Sequence, residues 1–233
     1  MNGKNNLNTT TTAILLFAQT ERTEALSKKI SSYSKNNILL WKKLNQKAIH
    51  TVQKTKLPYF ISDETTQIGT NFGTKITAAV QSVFDQGFEK VIVIGNDSLA
   101  MSSTVLLHAT QRLQEQDIVL GSDWNGGVYL MGISKKVFNP KEFEAIAWQS
   151  HTVFKGLKDH FENLNIFLLP RLKDCNDTRS FRESASRLHY FSKLRAFLMA
   201  LMQERFSFFT LETVTYFTAY FKQFYNKGSP ELA

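Results

Sequence analysis

Lys90-Val-Ile-Val-Ile-Gly95 is an apolar run that ends in glycine and is followed at once by Asn96-Asp97-Ser98. β-Branched residues in a run of this length, bounded by turn residues, are typical of a strand buried on both faces. The preceding segment, Gly73 to Gly87, has apolar residues at helical spacing and a glycine at its end, which indicates an amphipathic helix. A helix that leads into a buried strand is the repeating unit of a parallel sheet, so this stretch predicts an α/β fold.

The same alternation extends in both directions. Strands are predicted in the apolar runs 13–18, 37–41, 58–62, 117–121, 128–133 and 165–169, and helices at about 21–33, 102–116 and 151–160. The short spacing favours right-handed crossover units. Runs 117–121 and 128–133 are too close for a crossover helix, so we expect at least one of them to be antiparallel or out of the sheet plane.

Three regions are expected from the pattern: a flexible tail at 1–12, an α/β domain at 13–178 and a helical extension at 179–233. The extension is predicted to form helices at about 179–204 and 208–226. Its aromatic residues (Phe191, Phe197, Phe206, Phe208, Phe209, Phe217, Phe221 and Phe224) are expected to pack on the domain or on a partner. Peripheral membrane contact and a homodimer interface are the alternatives.

Composition narrows the class of protein. Among the 233 residues, Cys175 is the single cysteine, which excludes a disulfide framework, and no apolar run approaches the roughly 20 residues of a membrane span. We expect a cytoplasmic protein. Its net charge of +8 is scattered, and basic residues do not interleave with aromatic ones along a strand. Nucleic acid is therefore not the expected partner, whereas a phosphorylated small molecule and a solvated basic face both remain open.

Asp97 is the best candidate for a working residue. Ligands of open α/β sheets bind just beyond the carboxyl ends of strands, and Gly95, Asn96 and Asp97 stand at such an end. A carboxylate there can hold a hard divalent cation, which in turn grips a diphosphate. The alternative is that Asp97 caps the following helix or stabilises a turn.

Three other motifs admit two interpretations each. Gly126-Gly127, within Trp124–Tyr129, can let a ligand approach the backbone or can make a hairpin turn. Gly73 and Lys75 can receive a phosphate at a helix start or can belong to an ordinary helix. His151 can act as an acid or base or lie at the surface.

Six segments taken in order resemble a known family: residues 72–80, 91–98, 117–122, 125–132, 148–150 and 168–174. The family is a bacterial group of GT-A-type transferases in the nucleotide-diphospho-sugar transferase superfamily, often associated with radical-SAM proteins. The resemblance covers roughly residues 13–180. It implies a three-layer α/β/α sandwich with a mostly parallel sheet. It also implies that Phe17, Ala18 and Gln19 face a nucleotide.

The resemblance further implies site roles. Asp97 corresponds to the aspartate that binds the metal, Mg²⁺ or Mn²⁺, or the diphosphate. Asn125, Gly126 and Gly127 stand where the family has Asp-Gly-Gly, and Trp148 lies in a substrate-binding segment. This chain departs from the family in Asn125, in Leu99 where a proline is expected, and in Asn176 where a second aspartate is expected, although Asp174 and Asp177 are adjacent.

A further departure concerns charge. The family carries a basic Lys-Thr-Arg-like stretch soon after the first strand, and here Arg22 is the only substitute that the sequence suggests.

These observations support a glycosyltransferase that uses a nucleotide-sugar donor and an unknown acceptor. Asp97 would hold the cation, Asn125 and the double glycine would position the acceptor or sugar, and His151 or Asp123 would be the base. Two alternatives stay open: a catalytically decayed interaction module, favoured by Asn125, and a nucleotidyltransferase of the same superfamily.

Overall fold

The computed structural model describes residues 11–175 and 177–202. Their strands are β1 (Thr12–Phe17), β2 (Tyr59–Ser62), β3 (Lys90–Ile94), β4 (Ile118–Ser122), β5 (Val128–Ser134) and β6 (Ile166–Leu169). Their helices are α1 (Glu21–Ser27), α2 (Ser34–Gln53), α3 (Phe72–Asp85), α4 (Ser103–Glu115), α5 (Pro140–Glu144), α6 (Val153–His160), α7 (Thr178–Ser186) and α8 (Lys193–Met202). A short 3-10 turn, Lys135–Val137, follows β5.

The six strands form one mixed sheet in the order β2-β1-β3-β5-β4-β6. β1 is parallel to β2 and β3, and β4 is parallel to β6. β5 lies antiparallel between β3 and β4, as the short spacing before it predicted. Five strands therefore end at one edge of the sheet, and β5 begins at that same edge.

Helices cover both faces of the sheet and make a three-layer sandwich. Alternate residues of β1 show the division: Ala13 and Leu15 pack under α3, α5 and α6, while Ile14 and Leu16 pack under α2 and α4. The fully apolar runs seen in the sequence are thus strands buried on both sides. The predicted α/β/α fold class is confirmed.

The predicted strand at Asn37–Trp41 is wrong, because these residues lie inside the 20-residue helix α2. The buried positions of α2 recur at helical spacing (Asn37, Leu40, Trp41, Leu44, Ala48, Thr51 and Val52). A window of only five residues captured an apolar run and missed the longer helical period.

The predicted helix at 179–204 is two helices in the structure, α7 and α8. A turn after Ser186 interrupts them, and the hydroxyl of Ser192 accepts the backbone N–H of Arg195 at the start of α8. Phe181 of α7 and Leu198 of α8 are fully buried in a cluster with Trp41 of α2. Both helices therefore pack on the sandwich through α2, while the domain boundary at 178 stays a prediction.

Most of the predicted tail, the predicted helix at 208–226 and the aromatic residues beyond Met202 lie outside the described residues. Thr12, assigned to the tail, is the buried first residue of β1. None of the helices in the described part of the chain combines the length and the apolar character that a bilayer crossing requires.

Candidate functional site

Three aspartates meet at the sheet edge where the strands end. Asp97 follows β3, Asp123 follows β4 and Asp174 lies in the segment after β6. The backbone N–H of Cys175 donates to the Asp97 carbonyl at 2.9 Å and that of Leu172 to the Ser122 carbonyl at 3.2 Å, which brings the three segments together. Asp97 was predicted from its strand end, Asp123 was named as one of two candidate bases, and Asp174 is the last residue of the resembling segment 168–174.

Asp174 is the most unusual of the three. Asp174 is 6% exposed, and its Oδ1 is buried without a hydrogen-bond partner among the described residues. Burial, followed by the charges of Asp97 and Asp123, raises the pKa of Asp174 to about 9. With that pKa Asp174 keeps its proton near neutral pH, and a buried carboxyl oxygen without a partner is costly, so Oδ1 is available to accept a hydrogen bond or, once the proton is lost, to contact a cation.

Lys28 supplies a positive charge inside the same site. Its Nζ lies 2.8 Å from Asp97 Oδ2 and 3.8 Å from Glu24 Oε2. Burial opposes the charge on Lys28, but Asp97 and Glu24 outweigh that effect, so the pKa of Lys28 is raised. Burial likewise raises the pKa of Glu24. Arg22, the substitute suggested by the sequence, is exposed.

Sequence reasoning missed Lys28 because the pair with Asp97 spans 69 positions. No local pattern marks it, since Lys28 follows the last residue of a short helix and stands next to another lysine. The fold therefore adds Lys28 to Arg22 as a candidate for the role of the missing basic stretch.

The loop between β4 and β5 is held by Asp123. Its Oδ1 accepts the backbone N–H groups of Asn125, at 2.7 Å, and of Gly127, at 2.6 Å. A side chain at Gly127 would collide with the Asp123 carboxylate. The Asn125 side chain is exposed beside this loop.

Gly126 fixes the other side of the same loop. It has φ of +88°, and an added Cβ would overlap the carbonyl oxygen of His151. The Gly126 carbonyl in turn accepts the backbone N–H of Phe154 at 3.1 Å. The double glycine therefore fastens the loop to the start of α6, and His151 meets it through its backbone.

Phe17, Gly73 and Trp148 come together at the end of β1. Phe72 lies between the rings, 5.4 Å from Phe17 and 5.7 Å from Trp148. The Trp148 Nε1–H donates to the Phe143 carbonyl at 2.9 Å. An added Cβ on Gly73 would meet the Glu144 carbonyl, so Gly73 lets α3 approach α5 closely. Lys75, one turn into α3, is half-buried.

Asn45 of α2 links the ends of β1 and β3. Its Nδ2 donates to the Gln19 carbonyl at 3.2 Å, and its Oδ1 accepts from Asn96 Nδ2 at 2.6 Å. The Ala18 carbonyl accepts from Gln67 at 3.3 Å. At Gly95 an added Cβ would stand 3.2 Å from Asp97 Oδ1, so the glycine leaves room for that carboxylate.

Glu64 braces the segment after β1. It accepts the backbone N–H of Thr20 at 2.7 Å and the hydroxyl of Thr23 at 2.5 Å, and the Thr20 hydroxyl also donates to it. These hydrogen bonds favour the charged form strongly enough to outweigh burial, and they lower the pKa of Glu64 to about 2.

Within residues 11–175 and 177–202, no three His, Cys, Asp or Glu side chains are arranged to hold a metal ion by themselves. Mg²⁺ commonly needs only one or two carboxylates, because water and substrate phosphates complete its coordination. The pairing of a partly exposed Asp97 with the partnerless oxygen of Asp174 fits that mode of binding.

Comparison with known proteins agrees with the fold. Residues 41–150 match a family model described as "Uncharacterized protein conserved in bacteria (DUF2064)". That segment contains Asp97, Asp123 and Trp148 but neither Lys28 nor Asp174. No curated protein matches the chain in sequence.

Among solved structures, a Desulfovibrio desulfuricans G20 protein assigned to the nucleotide-diphospho-sugar transferases superposes with a TM-score of 0.72 at 20% identity, covering 82% of this chain and 96% of that one. A weaker likeness is to Rv0371c of Mycobacterium tuberculosis H37Rv in complex with manganese, with a TM-score of 0.43 at 10% identity, covering 76% and 99%. The first likeness shows the fold: the chain shares the three-layer α/β architecture of that protein.

Proposed function

We propose that the protein is a transferase that moves a sugar from a nucleotide-diphosphate donor with the help of a divalent cation, Mg²⁺ or Mn²⁺. The observation that carries the proposal is the buried, partnerless Oδ1 of Asp174 among the carboxyl groups of Asp97 and Asp123. The high pKa of Asp174 leaves it protonated at neutral pH, and a bound cation would displace that proton and pair with the resulting carboxylate.

Asp97 and Asp174 would hold the cation, and the donor diphosphate would complete its coordination. When bound, such an ion acts as a Lewis acid that stabilises the negative charge on the departing diphosphate. Asp97 is suited to this role because its side chain is 18% exposed and therefore open to a ligand from the solvent side.

Lys28 would meet the same diphosphate. Its ammonium group already lies 2.8 Å from Asp97 and remains charged because its pKa is raised. A fixed cation beside the phosphates stabilises the charge that develops on the leaving group without any rearrangement during the reaction. Lys28 would thus do the work that the family assigns to its basic stretch.

Asp123 is the base we favour for the acceptor. Its Oδ1 accepts two backbone N–H groups of the loop, which fixes the orientation of the carboxylate, and its second oxygen would take the substrate proton. Asn125, next in the loop and exposed, would bind the sugar or acceptor by hydrogen bonds. The segment 17–19, with Gly73, Lys75 and Trp148 nearby, would receive the nucleotide.

A decayed site is the second candidate, and the ion pair of Lys28 with Asp97 favours it. In that case the ammonium group permanently replaces the cation, and the protein keeps the fold as a binding module. Asn125 fits this alternative as well, since an amide cannot act as a base.

Thermal unfolding with Mn²⁺ and UDP, GDP, CDP or dTDP tests the proposal. A nucleotide present at about 100 times its dissociation constant adds about 2.7 kcal/mol of stability, which raises Tm by about 5–10 °C for a chain of this size. The rise should vanish in Asp97→Ala and fall sharply in Lys28→Met. Asp177→Asn, an exposed change that keeps a helix cap, should retain it.

The release of nucleoside diphosphate from the corresponding nucleotide sugar separates the two candidates. An active transferase should release it slowly in water, and Asp123→Asn should stop the release while sparing the thermal shift. Binding without turnover of any nucleotide sugar would support the decayed site. The absence of a shift with all four nucleotides would refute both the donor and the cation.

A further inference from the structure

Trp124 has no structural role that its contacts explain. It is 64% exposed, whereas Trp41 is fully buried and Trp148 packs between Phe72 and Phe143. Large apolar side chains at this exposure forgo the gain of burial, so an exposed indole next to a functional site suggests a surface for a ligand. Its neighbour along the chain is Asp123 of the acidic site.

The loop that carries Trp124 is held rigidly. Asp123 accepts two backbone N–H groups within it, and Gly126 is wedged against the His151 carbonyl in a conformation that favours glycine. A ligand that meets the indole therefore pays little to order the loop.

Arg171 completes the feature from the neighbouring loop after β6. Its guanidinium carbon stands 5.5 Å from the centre of the Trp124 ring. The two loops are tied together by the backbone N–H of Leu172, which donates to the Ser122 carbonyl at 3.2 Å, and by the Tyr129 hydroxyl, which donates to the Pro170 carbonyl at 2.7 Å. The two loops that carry the indole and the guanidinium are thus tied to each other.

We infer that Trp124 and Arg171 form a subsite for the ring of a carbohydrate acceptor. A pyranose has a flat face of C–H groups and a rim of hydroxyls. An indole matches the first, and the five donors of a guanidinium match the second. Asp123, the base favoured above, is adjacent to this subsite and would face an acceptor hydroxyl.

A nucleobase is the competing ring, because bases also stack on indole and guanidinium planes. In the proposed function the nucleobase of the donor would bind at the end of β1. β4, which leads to Trp124, is three strands away from β1 in the sheet order, about 14 Å at the usual strand spacing. In the proposed function the sugar side of the reaction would lie nearer to β4.

Tryptophan fluorescence tests the subsite. The identity of its ligand, a carbohydrate acceptor, rests on the proposed function. Methyl glucoside, methyl galactoside and N-acetylglucosamine are titrated into the protein, alone and with Mn²⁺ and UDP, with uridine and guanosine as the competing rings. We expect at least one sugar to change the emission of Trp124 in a saturable way.

Calorimetry then measures the affinity for that sugar in variants. Trp124→Ala should weaken it about tenfold or more, Trp124→Phe should retain part of it, and Arg171→Gln should weaken it several-fold. Tyr190→Ala, which removes another exposed aromatic, is the matched control and should leave the affinity unchanged.

The outcomes separate this inference from the proposed function. If sugar binding depends on Trp124 and no nucleotide gives a response, the subsite is supported and the proposed nucleotide-sugar donor is refuted. Nucleotide stabilisation without any sugar-induced fluorescence change overturns the subsite alone. A saturable response to uridine or guanosine and to no sugar also overturns it.

Discussion

Asp174→Asn should stabilise the protein when no metal is present. In the folded chain the pKa of Asp174 is raised from 3.8 to about 9, so the folded state keeps a proton that the unfolded state releases. Stability from this group is fully present below pH 4 and is lost as the pH rises towards 9. Between 3.8 and neutral pH the loss reaches about 4 kcal/mol as an upper bound.

Solvent penetration and relaxation reduce such buried effects, so we expect about 2 kcal/mol at pH 7. This corresponds to a rise in Tm of about 4–8 °C for a chain of this length. Asparagine keeps the shape of the side chain but does not lose a proton, so the gain should shrink to near zero at pH 4.

Urea unfolding in EDTA at a series of pH values measures the effect, with Asp177→Asn as the control. That carboxylate is exposed at a helix cap and asparagine caps equally well, so the control should change stability by less than about 0.5 kcal/mol. A lower stability of Asp174→Asn at pH 7, or a difference that does not depend on pH, would refute the account of a crowded acidic site.

Two other perturbations follow from the site. Glu64→Gln should lower the free energy of unfolding by about 1 kcal/mol at pH 7, after allowance for solvent screening. The difference from the natural protein should disappear as the pH falls from 4.5 to 2, because Glu64 then becomes protonated. Urea unfolding at pH 7 and pH 3 measures this change, and a difference that stays constant would contradict it. Gly126→Ala should lower the free energy of unfolding by about 3 kcal/mol, because the backbone there is left-handed and the new Cβ meets the His151 carbonyl. Gly156→Ala in α6, where space is open, should raise the free energy of unfolding by up to about 1 kcal/mol. Calorimetric scans compare the two variants, and equal effects would show that the loop is not constrained.

The sheet was largely predictable because its strands are short apolar runs closed by turn residues. β1, β3, β4 and β5 each lie within a residue or two of the predicted runs. α2 was missed because Ile38 to Trp41 is apolar over a length that suits a strand, and only the spacing over 20 residues shows the helix. A local hydrophobic pattern predicts the type of a secondary-structure element only when the sequence window is as long as that element.

The site was less predictable because it depends on contacts between distant segments. Asp97 could be selected since a strand end is a local feature. Lys28 and Asp174 approach it from 69 positions before and 77 positions after, and only the fold brings them there. The roles of Asp97, Asn125 and the other predicted residues stay predictions until ligands are tested.

The antiparallel β5 has a consequence for the order in which the sheet forms. β4 and β5 are joined by residues 123–127, whereas the pairing of β1 with β3 joins Ile14 to Ile92. Closing the short loop costs far less entropy, so the hairpin can form first and offer β5 to β3 and β4 to β6. Pulsed hydrogen exchange should therefore protect the hairpin amides earliest, and the loop that carries Asp123 and Trp124 would be in register before β1 and β2 join the sheet.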